Sequence, residues 1–185
     1  MSVEQFNDVL RAAILSLPQH LKATLRLLDD PNIPDEGRMI AAGAVLHWLS
    51  GSNTIPGMRA GLSSLADDVI VLLFAYERID AIAPEAMAGH RADSPELFSG
   101  LSADVALIRA YLGKGVAVFD KAVEKIPQLK HLGRNAAQCI ADEESSTVLH
   151  EQVHAALVEL DLEEDEVNRA LKQLGPVFEG LRQRR

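Results

Sequence analysis

Eight consecutive residues, Val69 to Tyr76, are apolar on every side of any helix they form, and they follow directly on two aspartates, Asp67 and Asp68. A helix that is apolar all round has to be wrapped by other elements. The rest of the chain must supply that wrapping, and what it offers is helical. No run of alternating apolar and polar residues is long enough for a strand, whereas apolar residues recur at spacings of three and four through most of the chain. Aromatic residues, which favour strands, make up only 4%. The fold class predicted is all-α, a multi-helix bundle with the 69–76 segment at its centre. With 185 residues, 48% of them apolar, the chain can bury one core of ordinary size or two small ones.

The helices can be placed from their ends. Ser2 with Gln5 is a capping-box pattern, and Phe6, Leu10, Ala13, Ile14 and Leu17 then share a face. Pro18 suits the first turn of a second helix reaching Leu28, and Pro34 with Asp35 and Glu36 starts a third that ends at Ser50 and Gly51. Residues 50–61 read as a loop, and a fourth helix runs from Leu62 to about Ile82. Pro84, Gly89, Pro95 and Gly100 mark residues 84–101 as a linker between an N-terminal helical domain, 1–83, and a C-terminal helical region, 102–185. In that second half Val105, Ile108, Leu112, Val116, Phe119, Val123 and Ile126 predict one long helix. Further helices are expected over 129–141, 145–160 and from Asp161 to the C-terminal arginines Arg182, Arg184 and Arg185, with Gly175 and Pro176 kinking or splitting the last.

Charge and composition exclude several classes. Eighteen basic against 27 acidic residues, net −9, argue against a nucleic-acid partner. The greasiest stretches, Met39 to Leu49 and Val69 to Tyr76, are far shorter than the ~20 residues of a membrane-spanning helix. Membrane association is therefore not expected. A single cysteine, Cys139, forms no intramolecular disulfide, and the first residues carry no secretory pattern, so a cytoplasmic location is expected. On its helix Cys139 reads as a small buried hydrophobe.

Four pieces in order, LRLLDDPNIP, IAAGAVLHWLS, NTIPGMRAGL and SSLADDVIVLLFA, span about residues 25–76. Their order and spacing resemble the YkvA family, a small bacterial helical domain of unknown function. This chain has Asn53 and Gly57 where the family's Ile-Pro loop usually carries acids. The resemblance implies a helical core and a buried aspartate pair, and no reaction.

Two constellations can carry chemistry. His150, Glu151 and His154 spell HEQVH, an H-E-x-x-H pattern. On a helix its two imidazoles can grip one zinc while the glutamate polarises a water, the mechanics of zinc hydrolases and peptidases. A third protein ligand is required, and Glu179 is the best-spaced candidate. The structural alternative leaves both histidines beside the stripe Leu149, Val153, Leu157 and Leu160 as ordinary boundary residues. The second constellation is Asp67 and Asp68. They either fix the 50–61 loop by accepting its amides or an arginine, Arg38 or Arg59, or hold a cation or ligand together with Asp29 and Asp30. His20, His47, His90 and His131 show no ligand spacing. The expected function is that of a non-catalytic module acting through a protein partner or self-association, with no cofactor. A zinc-dependent hydrolase on His150, Glu151 and His154 is the alternative.

Overall fold

Ser2 closes the capping box expected of it: its hydroxyl accepts from the Gln5 amide, the Gln5 side chain accepts from the Ser2 amide, both at 3.2 Å, and α1 spans Val3–Leu15. The computed structural model describes residues 2–56, 58 and 61–183. Readings that involve Gly57, Arg59, Arg184 and Arg185 lie outside the described residues. Pro18 sits in the first turn of α2, Leu17–Asp29. Then α3, Asp35–Ser50, is closed by Gly51 at φ 63°, a left-handed position that glycine takes without a Cβ penalty. The fourth helix, α4, is Ser64–Ile82, and every residue from Leu65 to Tyr76 is buried.

The expected linker is helical. Pro84 and Pro95 start α5, Pro84–Asp93, and α6, Pro95–Phe98, because proline lacks only an amide that the first turn leaves unbonded anyway. Met87, Leu97 and Phe98 are buried, and the Phe98 ring meets Tyr76 edge-on at 5.0 Å. Among the described residues one buried apolar cluster runs from Phe6 to Leu181, taking side chains from both sides of this segment.

The single long helix expected over 102–126 is broken into α7, Leu101–Leu112, a 3-10 turn at Gly113–Val116, α8, Ala117–Lys125, and a 3-10 turn at Ile126–Gln128. Gly113 is at φ 55°, outside helical geometry, and Gly115 lies so close to the Leu181 carbonyl that a Cβ there would stand 2.7 Å from its oxygen. Residues 129–141 are not all helix either. Two-residue strands β1, Lys130–His131, and β2, Arg134–Asn135, pair antiparallel around Leu132 and Gly133, both at positive φ, before α9, Ala136–Ala141, begins.

Asp142 caps α10, Glu143–Glu159, by accepting from the Glu144 and Ser145 amides. The last helix, α11, is Glu164–Arg182; its cap position is Glu163, without a side-chain cap, so it begins later than the expected Asp161. It is not split at Pro176. Lys172, whose carbonyl loses its amide partner there, and Pro176 are both exposed, so the missing bond falls on the solvent side of the helix. The buried stripe Val167, Leu171, Leu174, Phe178 and Leu181 continues across the proline and packs on α1 and α7. Phe6 stacks on Tyr111 at 4.0 Å and meets Phe178 edge-on at 4.9 Å, tying those helices together. The bundle is therefore all-α with a trivial hairpin, and α4 lies inside it, contacted by α1, α3, α5, α7 and α8. No helix of the described residues is long and apolar enough to cross a membrane.

Candidate functional site

The last turn of α3 and the first turns of α4 face each other across the loop that joins them, and each presents ionisable groups to the interior. His47 comes from α3, Asp67 and Asp68 from α4, and all three are buried. Asp67 is 0% exposed. Its Oδ2 accepts from the Thr54 amide and its Oδ1 from the Ile55 amide, each at 2.9 Å. His47 Nε2 stands 3.3 Å from Asp67 Oδ2 and 3.7 Å from Asp68 Oδ1. Asp67 thus anchors the loop and seats Ile55 in the core. Asp68 holds no loop amide among the described residues, and its Oδ1 is buried without a hydrogen-bond partner there. Burial, and then the neighbouring Asp67 charge, push the Asp68 carboxyl well above the ordinary range.

The structure separates the other carboxylates from this pair. Asp30 meets His90 Nε2 at 2.8 Å and Asp29 meets His150 Nε2 at 3.2 Å. Each thus serves a histidine of another helix, α5 or α10, at the C-terminal end of α2. Arg38 does not reach the loop either: its guanidinium donates to the Leu28 carbonyl at 2.7 Å and to Asp35 at 3.4 Å. The other arginine considered, Arg59, is outside the described residues.

The HEQVH motif does lie on a helix, α10, with Glu151 and His154 exposed and His150 partly so. The structure does not bring Glu179 together with His150 and His154. On α11 that glutamate accepts from Arg182 at 2.6 Å and from the Tyr111 hydroxyl at 3.3 Å. Among the described residues the group of three ligand-bearing side chains that converges is His47, Asp67 and Asp68, whose donor atoms lie within 4.8 Å of one another. His47 escaped the motif search because its partners are twenty residues away. The signal present in the sequence is a lone histidine in the otherwise apolar run IAAGAVLHWLS, one loop before an aspartate pair.

A second feature has no local sequence signal at all. A groove of about 780 Å³ opens between α3, α4, α7 and α8, floored by Met39, Ile40, Phe74 and Val123. Its rim carries the carboxylates of Glu36, Glu77, Asp120 and Glu124 and the guanidinium groups of Arg78 and Arg109. Arg109 lies over the Phe74 ring at 4.2 Å, held by Glu77 at 2.7 Å and Asp120 at 2.9 Å. Arg78 sits 3.7 Å from Glu36. Both cations are therefore matched within the rim, and among the described residues Glu124 has no ionic partner. Compared with known proteins, the chain matches no family model, no curated protein and no solved structure.

Proposed function

We propose that the chain is a cytoplasmic, YkvA-like, non-catalytic helical module that binds a protein partner through the groove over Phe74, and that the partner presents an apolar side chain flanked by lysine or arginine. The observation that carries this reading is the groove itself, an apolar floor inside a rim with four carboxylates against two guanidinium groups, on a chain of net charge −9. An apolar side chain seated there gains about 1.5–3 kcal/mol from burial, and the surplus carboxylates select and orient a basic flank. The order of helices, Ile-Pro loop and aspartate pair over 25–76 supports the family part of the reading. A hydrolase on His150, Glu151 and His154 lacks a third ligand among the described residues.

A photo-crosslinking amino acid at position 39 of the full chain, activated in cells, tests the groove. One dominant adduct, whose crosslinked peptide carries an apolar residue beside basic ones and which disappears in Glu36→Lys/Glu124→Lys, is the expected result. An adduct on an acidic or neutral peptide, one indifferent to the charge reversal, or no adduct overturns the proposal. A covalent dimer of the chain would also overturn it and assign the groove to self-association.

A further inference from the structure

Among the described residues a single long hydrogen bond, His47 Nε2 to Asp67 Oδ2 at 3.3 Å, joins the three buried groups between α3 and α4, and it leaves Asp68 out. A charge-assisted N–H···O bond runs about 2.7–2.9 Å, yet His47 Nε2 is 3.3 Å from Asp67 Oδ2 and 3.7 Å from Asp68 Oδ1, the second beyond hydrogen-bond range. The single nitrogen can serve only one of them. Asp67 is compensated by the Thr54 and Ile55 amides. Asp68 is not: its side chain is 6% exposed, its Oδ1 lacks a hydrogen-bond partner, and that oxygen points toward the imidazole. A buried carboxylate oxygen held open in this way is costly unless something occupies the space in front of it.

The spacing identifies what fits. Donor atoms at about 2.0–2.2 Å from a tetrahedral ion lie roughly 3.3–3.6 Å from one another. The His47 to Asp67 and His47 to Asp68 separations, 3.3 and 3.7 Å, fall at the two edges of that range, and all three donor atoms lie within 4.8 Å of one another, so a small closure of the aspartate pair completes the site. One imidazole with two carboxylates suits zinc and its first-row neighbours, whereas magnesium and calcium prefer oxygen alone. We propose that His47 Nε2, Asp67 Oδ2 and Asp68 Oδ1 form a site for one divalent transition ion of the zinc class, with solvent completing the coordination. The ion would tie the end of α3 to the start of α4 and, through Asp67, to the loop between them. This inference is independent of the groove reading.

The test uses the untagged full chain, stripped with chelator and titrated with Zn²⁺ and Co²⁺ by calorimetry, by the visible absorption of the cobalt form and by thermal melting. One ion per chain, cobalt bands of low coordination number, and a melting point raised by Zn²⁺ but not by Mg²⁺ are expected. Asp68→Asn and His47→Gln, each first checked for native circular dichroism, should abolish all three signals. Should one of them fail to fold, the other decides. The double variant His150→Ala/His154→Ala should retain them, since that pair offers the competing zinc ligands on α10. Absence of binding, its retention in either Asp68→Asn or His47→Gln, or its loss in the α10 variant overturns the assignment.

Discussion

Replacing Asp67 with alanine removes the acceptor of two backbone amides at once, and the structure tells how much each should cost. Ile55 is 1% exposed and its amide has no route to water, so leaving it unpaired costs about 1–3 kcal/mol. Thr54 is only partly buried. Water can reach its amide more easily, which puts that loss near the lower end, about 1 kcal/mol. Part of the sum returns, because removing one of two adjacent buried carboxylates relieves their repulsion. The expected net destabilisation in chelator is about 2–3 kcal/mol. Asp68→Ala is the control: its Oδ1 accepts no bond among the described residues, so the same protein without that carboxylate should be as stable or more so.

Urea melts give the global figure, but the local one is more diagnostic. Amide hydrogen exchange at Thr54 and Ile55 should accelerate in Asp67→Ala well before the bundle opens, since local opening then needs no acceptor to be broken. In Asp68→Ala those two amides should exchange as in the parent. Unchanged exchange in the first variant, or equal acceleration in both, would refute the division of labour between the two aspartates.

Other outcomes follow from single contacts. Gly43→Ala should destabilise by about 1–3 kcal/mol despite alanine's better helix propensity, because its Cβ would collide with the Ile126 backbone carbonyl. Gly89→Ala, whose Cβ meets nothing within 4 Å, should instead stabilise by about 0.5–1 kcal/mol in the same urea assay. Burial pushes His20 down from 6.5 to about 4. The unfolded chain therefore takes that proton first, and stability should fall as pH drops below about 6.5, the loss of about 3 kcal/mol being complete below about 4. His20→Gln should flatten that slope between pH 7 and 4.5, and parallel slopes would rule the assignment out. His150→Ala should leave the urea midpoint within about 1 kcal/mol of the parent, since its partner Asp29 is half exposed; a larger loss would mean that α10 depends on this pair.

Most helices that carry their own start and stop signals were legible in the sequence. The Ser2 box, Pro18, Gly51 and the apolar run of α4 all act within a few residues, and the structure places each as expected. The misreadings have a common cause in contacts from distant segments. Nothing in GKG says that Leu181 will lie on Gly115 and turn a continuous helical pattern into two helices. Pro84 and Pro95 look like breaks until Met87 and Phe98 find a core to fill, after which they are helix starts. The aspartate pair was legible as a buried pair, but its partner His47 was not, because a ligand on another helix leaves no spacing to read. HEQVH shows the limit from the other side: correct spacing on a real helix supplies two histidines, but whether a third ligand meets them depends on the tertiary fold, which turns Glu179 to Arg182 and Tyr111.

The two candidate sites share α3 and α4 yet occupy opposite ends of that pair. His47 is near the end of α3 and Asp67 and Asp68 near the start of α4, whereas Glu36 and Met39 on α3 and Phe74 to Ala81 on α4 belong to the groove. At 1.5 Å per helical residue, Asp68 and Phe74 are about 9 Å apart along the axis, and Ala81 lies about 20 Å away. Between the two ends the helices are held tightly: Gly43 lets the Ile126–Gln128 turn pack directly on the α3 backbone, and α4 is enclosed by buried residues on all sides. Signals travel between sites through elements with two discrete arrangements, and the structure shows these closely packed helices in one. On that arrangement an ion at His47 would stiffen the loop and the near end of the pair and leave the groove's shape as it is, so stripping the proposed ion should leave crosslinking at position 39 unchanged, and a loss of the adduct in chelator would refute the separation.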